Sequence, residues 1–516
     1  MHNKSSMWVR SLLPALLGVP FLSCYGQQPY SPPGPADAAS RMQQHYEQAY
    51  RMQDQGDLAQ ADAEHTAFLL AALESVATGY ANTGDYTHAA PVYDQALALA
   101  PADISLTYDY ARAAIDGNDP RKTLALLTPV LASNAATLPA TQRSLAQKII
   151  AHALYALGYQ QASLNAYLAA TYSDPSYDNL YALAVAVLSI RGNNQAKPIF
   201  TAALKTYGES ARHHMDVGRA YGQCGYPDSA LPEFQRALEL DPSLPVAHYS
   251  LGAAYMDETH ANVALAEKEF REELALNPDD ALSYQQLGLI AQGRGDDKEA
   301  EFDLRRATEL APGNSSNFLY LGSLYFHLNR PQDAEPAFRR AIELTANPEH
   351  NFWEIQRAHY QLGRILSAKG NQDEAARELA ISQSLLDRSR KQQEQRIAGL
   401  EVDPDRLTKT RIASPQDTAA FQEFLQHLTP LIAGSYNNLG VHAAMAGKFE
   451  TAAKQFGLAA QWNPSLPGVD RNWARAAFAA HDCSQAITPL RRAAQQNPSD
   501  AEIHSMLAAC QKSAGP

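Results

Sequence analysis

Cysteine is scarce in this sequence, and the four cysteines that it has argue against a disulfide framework. Beyond Cys24, only Cys224, Cys483 and Cys510 remain, an odd number spread widely along the chain. Cys483 and Cys510 fall in consecutive C-terminal units, so a bridge between them is possible. The interpretation we favour is that these cysteines are small buried side chains.

Motifs for nucleotide and metal binding are also missing. The sequence contains no P-loop, no Rossmann glycine fingerprint, no His-Glu-x-x-His and no Cys-x-x-Cys. The adjacent His213 and His214 are expected to be surface histidines, because neighbours on a helix point about 100° apart. We therefore expect no cofactor, no resident metal and no enzymatic activity.

Positive charge is in deficit. Lys and Arg number 42 and Asp and Glu number 55, so the formal net charge is −13. Phosphate binding needs clustered cations. A net charge this negative therefore disfavours nucleic acid or an anionic lipid surface as the main partner. The 30 prolines and 28 glycines are too few in 516 residues to indicate wholesale disorder.

The apolar run near the start of the sequence is too short to span a bilayer, but it is typical of a secretory signal. Lys4 and Arg10 precede this run at residues 11–22, and small and polar residues follow it. We expect a signal peptide at residues 1–26, cleaved after Gly26. In the alternative, Cys24 becomes a lipidated N-terminus and the chain is an outer-membrane lipoprotein. Both alternatives predict export to the periplasm or out of the cell.

A repeat of 34 residues dominates the rest of the sequence. Gly288 recurs as Gly322, 34 residues further on. Ala307 recurs as Ala341 at the same interval. Within each unit, apolar residues spaced by three and four form one helical stripe, and a second stripe follows after a turn. Each unit is therefore expected to be a pair of packed helices.

Glycine recurs inside the first helix of these units, although it costs about 1 kcal/mol there relative to alanine. The recurrent positions are Gly218, Gly252, Gly288, Gly322, Gly363 and Gly440. We expect each glycine to let the second helix approach closely, opposite a small residue such as Ala300 or Ala334. Aromatic residues such as Phe234 and Phe270 are expected to wedge between adjacent units.

This pattern resembles the tetratricopeptide repeat (TPR) family. The resemblance implies an all-α fold, an α-α superhelix or solenoid of about ten to eleven helical hairpins. Residues 501–512 match one first helix with no partner, and they are expected to be a C-terminal capping helix. The resemblance also implies a non-catalytic scaffold that binds proteins or peptides.

The domain organisation follows from the strength of the repeat. The expected segments are a signal peptide (1–26), a proline-rich flexible linker (27–40), N-terminal helical repeats that are partly degenerate (41–208), five TPR units ending in an extended helix (209–396), a linker or insertion (397–415), and C-terminal TPR units with the capping helix (416–516).

Two further resemblances concern the expected groove. The run around Asn437 and Asn438 looks like units of the superhelical domain of O-linked N-acetylglucosamine transferases, whose asparagines bind substrate backbone. Here the resemblance covers one unit, with Asn472 in the next. Chaperone-binding TPR proteins clamp a carboxylate with paired Lys and Asn, and that signature is absent. Arg471 and Arg475, four apart on one helix face, are the best candidates for an anionic contact in the C-terminal part.

We expect the concave face to bind an extended peptide or a helix of another protein. The candidate contacts are Arg219, Gln223, Gln285, Tyr320, Arg364, Asn437, Asn438, Arg471 and Arg475. The expected partners are proteins or peptides, with no nucleic acid, and with a membrane only through a lipid on Cys24.

Two alternatives remain: a self-assembling structural protein of the envelope, and an enzyme with a site at residues 102–208 or 389–434. The oligomeric state stays open.

Overall fold

The structure is a computed structural model of the chain, and it describes residues 35–134, 137–256, 262–345, 352–397 and 415–513. Within these ranges the chain forms 24 α-helices and no β-strand, which confirms the predicted all-α fold. The predicted signal peptide with Cys24, most of the predicted linker, and residues 398–414 of the predicted insertion lie outside the described residues.

The chain divides into two compact units. The terminal unit combines described residues between 27 and 134 with those between 410 and 516, and the mid-chain unit takes those between 135 and 409. Segments from both ends of the sequence therefore fold together, a pairing that the repeat pattern does not indicate.

The helices of both units are numbered along the chain. The terminal unit contains α1 Pro35–Asp54, α2 Leu58–Asn82, α3 Tyr86–Leu99, α4 Ile104–Asp116, α5 Pro120–Asn134, α20 Pro415–Met445, α21 Phe449–Trp462, α22 Val469–Ala479, α23 Cys483–Gln496 and α24 Ala501–Ser513. The mid-chain unit contains α6 Ala140–Ala156, α7 Gln160–Ser173, α8 Tyr177–Arg191, α9 Asn193–Tyr207, α10 Ala211–Gln223, α11 Pro227–Leu240, α12 Ala247–Tyr255, α13 Val263–Leu276, α14 Ala281–Arg294, α15 Asp297–Leu310, α16 Ser315–His327, α17 Pro331–Leu344, α18 Phe352–Ala368 and α19 Gln372–Ile397.

Consecutive helices pack as hairpins. Helices α6 to α19 make seven such pairs in the described part of the mid-chain unit. With the pairs of the terminal unit, the number agrees roughly with the ten to eleven hairpins expected. None of the described helices combines the length and the apolar character that a membrane span requires.

Several turns within hairpins have a left-handed backbone residue, and at some of them a side chain also caps the second helix. Gly295 has a φ of +83°, which glycine adopts without a steric cost. Asp296 then caps α15, because its carboxylate accepts a hydrogen bond from the backbone N–H of Glu299 at 3.2 Å. Asn329 and His481 adopt similar φ values at two other turns. These turns bring each second helix back along the first.

The recurrent glycines receive a large side chain from the second helix of the same hairpin. A Cβ atom on Gly218 would lie 2.7 Å from the ring of Phe234, closer than real Cβ contacts. At Gly288 it would lie 2.7 Å from Cγ of Leu304. The other pairs are Gly252 with Phe270, Gly322 with Phe338, Gly363 with Leu379, and Gly440 with Phe456. We expected a small alanine to be the side chain nearest to each glycine, and this is wrong. The nearest side chain belongs to the residue four positions after that alanine.

In the terminal unit, α20 packs along α2. Leu69 and Val76 of α2 share one apolar core with Ile432 and Tyr436 of α20, and all four side chains are almost completely buried. Trp462 of α21 extends this contact, since its indole N–H donates to Gln95 Oε1 of α3 at 2.9 Å. The hairpin of α20 and α21 is thus held by α2 and α3 as well as by the hairpin that follows it in the chain.

A polar cluster centred on the buried His65 also joins α2 to α20. We call it the His65 cluster, and its members are Asp62, His65, Ser435, Asn438 and His442. His442 Nδ1 lies 2.6 Å from Asp62 Oδ1, and His65 Nδ1 lies 3.2 Å from Ser435 Oγ. The other ring nitrogen of His65 lies 3.4 Å from Asn438 Nδ2. His65 is completely buried, and burial, followed by the charge of His442, lowers the pKa of His65 to about 4.

A disulfide ties the last helix to the hairpin before it. Cys483, at the start of α23, is bonded to Cys510 of α24. The favoured interpretation that these two cysteines are small unbridged side chains is therefore wrong, and the alternative of a bridge is correct. The predicted C-terminal capping helix is present as α24. Ile503 and Cys510 are fully buried, so α24 covers the apolar edge of the final hairpin.

Replacing Gly218 by Ala is expected to lower the free energy of unfolding by about 1–3 kcal/mol, because the new methyl group overlaps the Phe234 ring. Gly222 lies in the same helix with open space around it, so Gly222→Ala serves as a control and is expected to be neutral or stabilising by up to about 1 kcal/mol. Urea unfolding followed by circular dichroism measures both. Equal effects of the two substitutions would contradict the proposed contact.

Acidification is expected to weaken the terminal unit through His65. Its pKa of about 4 in the folded chain lies below the ordinary value of about 6.5, so the unfolded chain binds the proton more tightly. The stabilisation is complete above about pH 6.5 and is lost as the pH falls towards 4, by up to about 3 kcal/mol. Urea unfolding of the wild type and of His65→Gln at several pH values tests this. An unchanged pH dependence in the variant would refute it.

Candidate functional site

The predicted groove residues fall into two groups, one in each unit. Arg219 and Gln223 lie on α10, Gln285 on α14, Tyr320 on α16 and Arg364 on α18, all first helices of the mid-chain unit. The second group, on α20 and α22 of the terminal unit, contains Asn437, Asn438, Arg471 and Arg475.

Gln285 and Tyr320 are buried rather than exposed. Gln285 is 6% exposed and Tyr320 is 3% exposed, so neither side chain presents a surface to a partner. The reason is that the first helix of one hairpin packs against the first helix of the next, α14 against α16 and α16 against α18. Burial also raises the pKa of Tyr320. These two residues are therefore corrected from groove contacts to packing residues.

Two other predicted residues are engaged inside their own unit. The guanidinium of Arg219 donates to Asp216 Oδ1 at 2.6 Å, and its side chain is mostly buried. Asn438 belongs to the His65 cluster, which holds its amide against His65. Asn437 is half-buried, and its Oδ1 atom is buried without a hydrogen-bond partner in the described part of the chain. Gln223, in contrast, is exposed.

Arg471 and Arg475 are neutralised by the capping helix. Arg471 donates to Asp500 at 2.9 Å and to Glu502 at 3.0 Å, and Arg475 lies 3.1 Å from the second oxygen of Glu502. Two carboxylates therefore already occupy the face on which an external anion was expected. Because these pairs are exposed, each contributes little stability, but together they remove the local excess of positive charge.

Arg364 is the predicted residue that best keeps its binding capacity. Its Cζ atom lies 4.9 Å from the centre of the Phe326 ring and 5.9 Å from that of Tyr360, which is within cation–π range of both. Gln361 Oε1 lies 3.5 Å from an Nη1 atom of Arg364. We call this patch the Arg364 surface, formed by Phe326, Tyr360, Gln361 and Arg364.

The exposure of this patch follows from its place in the unit. The residue three positions before the recurrent glycine is buried in four hairpins, with exposures of 5% for Met215, 1% for Tyr249, 6% for Gln285 and 2% for Leu319. The equivalent residue of α18 is Tyr360, which is 43% exposed. Helices α18 and α19 form the last described hairpin of the mid-chain unit, so no following first helix covers Tyr360 there.

Arg364 differs in its charge pairing from several second-helix arginines of the mid-chain unit. Arginines on the second helices lie against carboxylates of neighbouring hairpins: Arg271 is 3.0 Å from Glu299, and Arg339 is 2.8 Å from Glu374. Arg364 has no carboxylate within ion-pair distance among the described residues. The first-helix side of this hairpin therefore offers an unneutralised cation held by aromatic rings.

The last hairpin also carries a cleft of about 510 Å³ between α17, α18 and α19. Its walls include Ile355, Ile381 and Leu385, with His359 between them. Nδ1 of His359 lies 2.5 Å from Glu378 Oε2, so this histidine is already paired. The cleft adds apolar surface to the hairpin that bears Arg364.

The described residues include no group of three or more His, Cys, Asp or Glu side chains placed to hold a metal ion. His213 and His214, considered above as a pair, have separate partners. The ring of His213 stacks on Tyr177 with centroids 3.8 Å apart, and His214 Nδ1 lies 2.7 Å from Glu233. The expectation that both are surface histidines is wrong for His214, which is buried.

Sequence reasoning missed Phe326, Tyr360 and Gln361. Tyr360 and Arg364 lie four residues apart on one helix, a spacing that places them on the same face and is readable from the sequence. The sequence does not indicate that this face is exposed, because the equivalent residues in earlier hairpins are buried.

Parts of the chain match the sequence profiles of three known families. Residues 218–257 match the family described as TPR repeat. Residues 286–351 and 321–381, and separately residues 72–104, match two families described as tetratricopeptide repeat. A search of curated proteins finds no match to the sequence.

Several solved structures are similar to parts of the chain. MamA from Desulfovibrio magneticus RS-1 has 21% identity, covers 35% of this chain and 97% of its own, and gives a TM-score of 0.30. A tetratricopeptide repeat protein from Parabacteroides merdae has 17% identity, with 47% and 93% covered and a TM-score of 0.35. PilF from Pseudomonas aeruginosa has 18% identity, with 52% and 97% covered and a TM-score of 0.29.

These structural likenesses carry no functional argument. The paired helices and the 34-residue spacing agree with the matched segments at residues 72–104, 218–257 and 286–381. These segments therefore identify tetratricopeptide repeats in the chain, with the paired-helix fold of that superfamily.

Proposed function

We propose that this protein is a non-catalytic scaffold that binds an acidic segment of another protein on the Arg364 surface. TPR repeats generally mediate contacts between proteins, which supports the scaffold role in its coarse form. The observation that carries the finer proposal is the exposed cation of Arg364, held between Phe326 and Tyr360 without a carboxylate partner in the described part of the chain.

The chemistry of the surface defines the segment that it suits. A carboxylate of the partner would pair with the guanidinium, and an apolar or aromatic side chain beside it would lie against Tyr360. Arginine and tyrosine are enriched among residues that dominate binding energy, because they combine large contact area with directed hydrogen bonds. The aromatic rings restrict the Arg364 side chain before binding, which reduces the entropy lost on association.

We also propose that the protein is exported and meets its partner in the cell envelope or outside the cell. The charged and apolar pattern of residues 1–26 supports this proposal. The disulfide between Cys483 and Cys510 is a second, independent support, because disulfides persist mainly in oxidising compartments.

Replacing Arg364 by Glu is expected to weaken capture of the natural partner about tenfold, because charge reversal repels the acidic segment and removes the cation–π contacts. Arg340→Glu is the matched control, since Arg340 is an exposed second-helix arginine paired with Glu343. Affinity capture from native envelope extracts with quantitative mass spectrometry compares the three proteins. Identical capture profiles for all three would refute the placement of the site.

Export is expected to leave two chemical marks on the natural protein. Alkylation in undisturbed cells should modify neither Cys483 nor Cys510, because both are in the disulfide. The intact mass should match a chain that begins at Gln27, whereas a lipidated chain beginning at Cys24 would support the lipoprotein alternative. An intact mass that includes residues 1–23, together with alkylation of both cysteines, would contradict export.

A further inference from the structure

The terminal unit contains a cleft that neither the groove prediction nor the Arg364 surface includes. It lies between α21, α22 and α23 and has a volume of about 410 Å³. We call it the Trp473 cleft, and the side chains that matter most for its chemistry are Lys454, Leu458, Gln461, Trp473, Gln485 and Arg492. Two different second helices and one first helix contribute to it, so its shape depends on the packing of consecutive hairpins.

Two cations line the Trp473 cleft from different helices. Lys454 projects from α21, is exposed, and has no ion-pair partner among the described residues. Arg492 projects from α23, with its Cζ atom 5.6 Å from the centre of the Trp473 ring. Although it is anchored to this ring, the Arg492 side chain is still 39% exposed. The cleft therefore presents positive charge in a chain whose net charge is −13.

A buried carboxylate positions Arg492. Asp470 is 1% exposed, and its Oδ1 atom lies 3.2 Å from Nε of Arg492. Its other oxygen accepts a hydrogen bond from Gln496 Nε2 at 2.9 Å. Asp470 Oδ1 and Arg492 Nε are within ion-pair distance but form no hydrogen bond in the described part of the chain, so charge attraction and the Trp473 ring keep the guanidinium at the wall of the cleft. Lys454 and Arg492 both line the cleft, and the buried Asp470 offsets one of these two positive charges.

The rest of the cleft is apolar or amide-bearing. Leu458 and Pro464 provide aliphatic surface, and Gln461 offers a donor and an acceptor group. Nε2 of Gln485, in contrast, already donates to Asp482 Oδ2 at 2.7 Å. Gly457 leaves space beside the aromatic ring, since a Cβ atom there would lie 3.4 Å from Trp473. An occupant with a carboxylate and a neighbouring apolar side chain would match Lys454, Arg492 and the apolar surface of the cleft.

We propose that the Trp473 cleft is a second peptide-binding site, which takes an acidic side chain flanked by an aromatic or aliphatic residue. The carboxylate lies between Lys454 and Arg492, and the apolar neighbour packs on Trp473 and Leu458. The proposal does not depend on the Arg364 surface, because the residues of the two sites belong to different units. It would give the scaffold a separate contact for an acidic segment.

The test uses the full chain carrying Arg364→Glu, so that the first surface does not contribute. The probe is an acetylated and amidated ten-residue peptide with two glutamates on either side of a phenylalanine, compared with its glutamine counterpart. Isothermal titration calorimetry and intrinsic tryptophan fluorescence follow binding. The glutamate peptide is expected to bind at least tenfold more tightly than the glutamine peptide, and equal affinities or no binding would overturn the proposal.

Substitutions locate the binding in the cleft. Lys454→Gln removes an exposed cation without disturbing the Asp470 contacts, and it is expected to weaken binding about fivefold to tenfold. Arg491→Gln is the control, because Arg491 is an exposed cation on the same helix as Arg492 and outside the lining. Gly457→Leu fills the cleft and is expected to abolish binding, with circular dichroism confirming an intact fold. Equal losses in Lys454→Gln and Arg491→Gln would indicate general charge attraction and contradict the site.

Discussion

The contact between a first-helix glycine and a large side chain of the second helix is the constraint on which the hairpins depend. At Gly218, Gly252, Gly322 and Gly440 the opposing side chain is a phenylalanine ring. A methyl group at Gly218, Gly252 or Gly440 would overlap the ring, and at Gly322 it would fit only if the ring moved. The loss in helix propensity, about 1 kcal/mol for each glycine, is offset by close packing of a ring that would otherwise lie in water. Because the contact recurs at a fixed spacing, each hairpin has nearly the same shape, and one hairpin stacks on the next.

Stacking decides which residues remain for binding. First-helix side chains in the interior of the mid-chain unit are covered by the next first helix, as the burial of Tyr249, Gln285 and Leu319 demonstrates. At the last described hairpin of that unit this cover is missing, and the Arg364 surface results. In the terminal unit, α24 covers the final hairpin and its acidic residues neutralise Arg471 and Arg475. The same rule of nearest-neighbour packing thus accounts for an exposed surface in one unit and a closed one in the other.

The parts of the fold that the sequence predicted are those that depend on contacts repeated at short range. Helix pairs, the glycine periodicity and the capping helix all follow from spacing within one or two units. The pairing of α2 with α20 does not, since His65 and Ser435 are 370 residues apart and belong to no common repeat. Similarly, Gln285 resembles a groove residue when its helix is considered alone, and only the next hairpin reveals its burial. Side-chain accessibility in an array is therefore a property of neighbouring units, which a single-unit pattern does not contain.

We propose that peptide binding is confined to the first-helix side of the last described mid-chain hairpin and to the Trp473 cleft. Hydrogen–deuterium exchange of the full chain, with and without a saturating acidic peptide that contains phenylalanine, tests this proposal most directly. Slower exchange is expected in residues 352–368 and in residues 449–496, with the second helices α11, α13 and α15 unchanged. Protection of those second helices, or of Gln285 and Tyr320 in the interior, would contradict it.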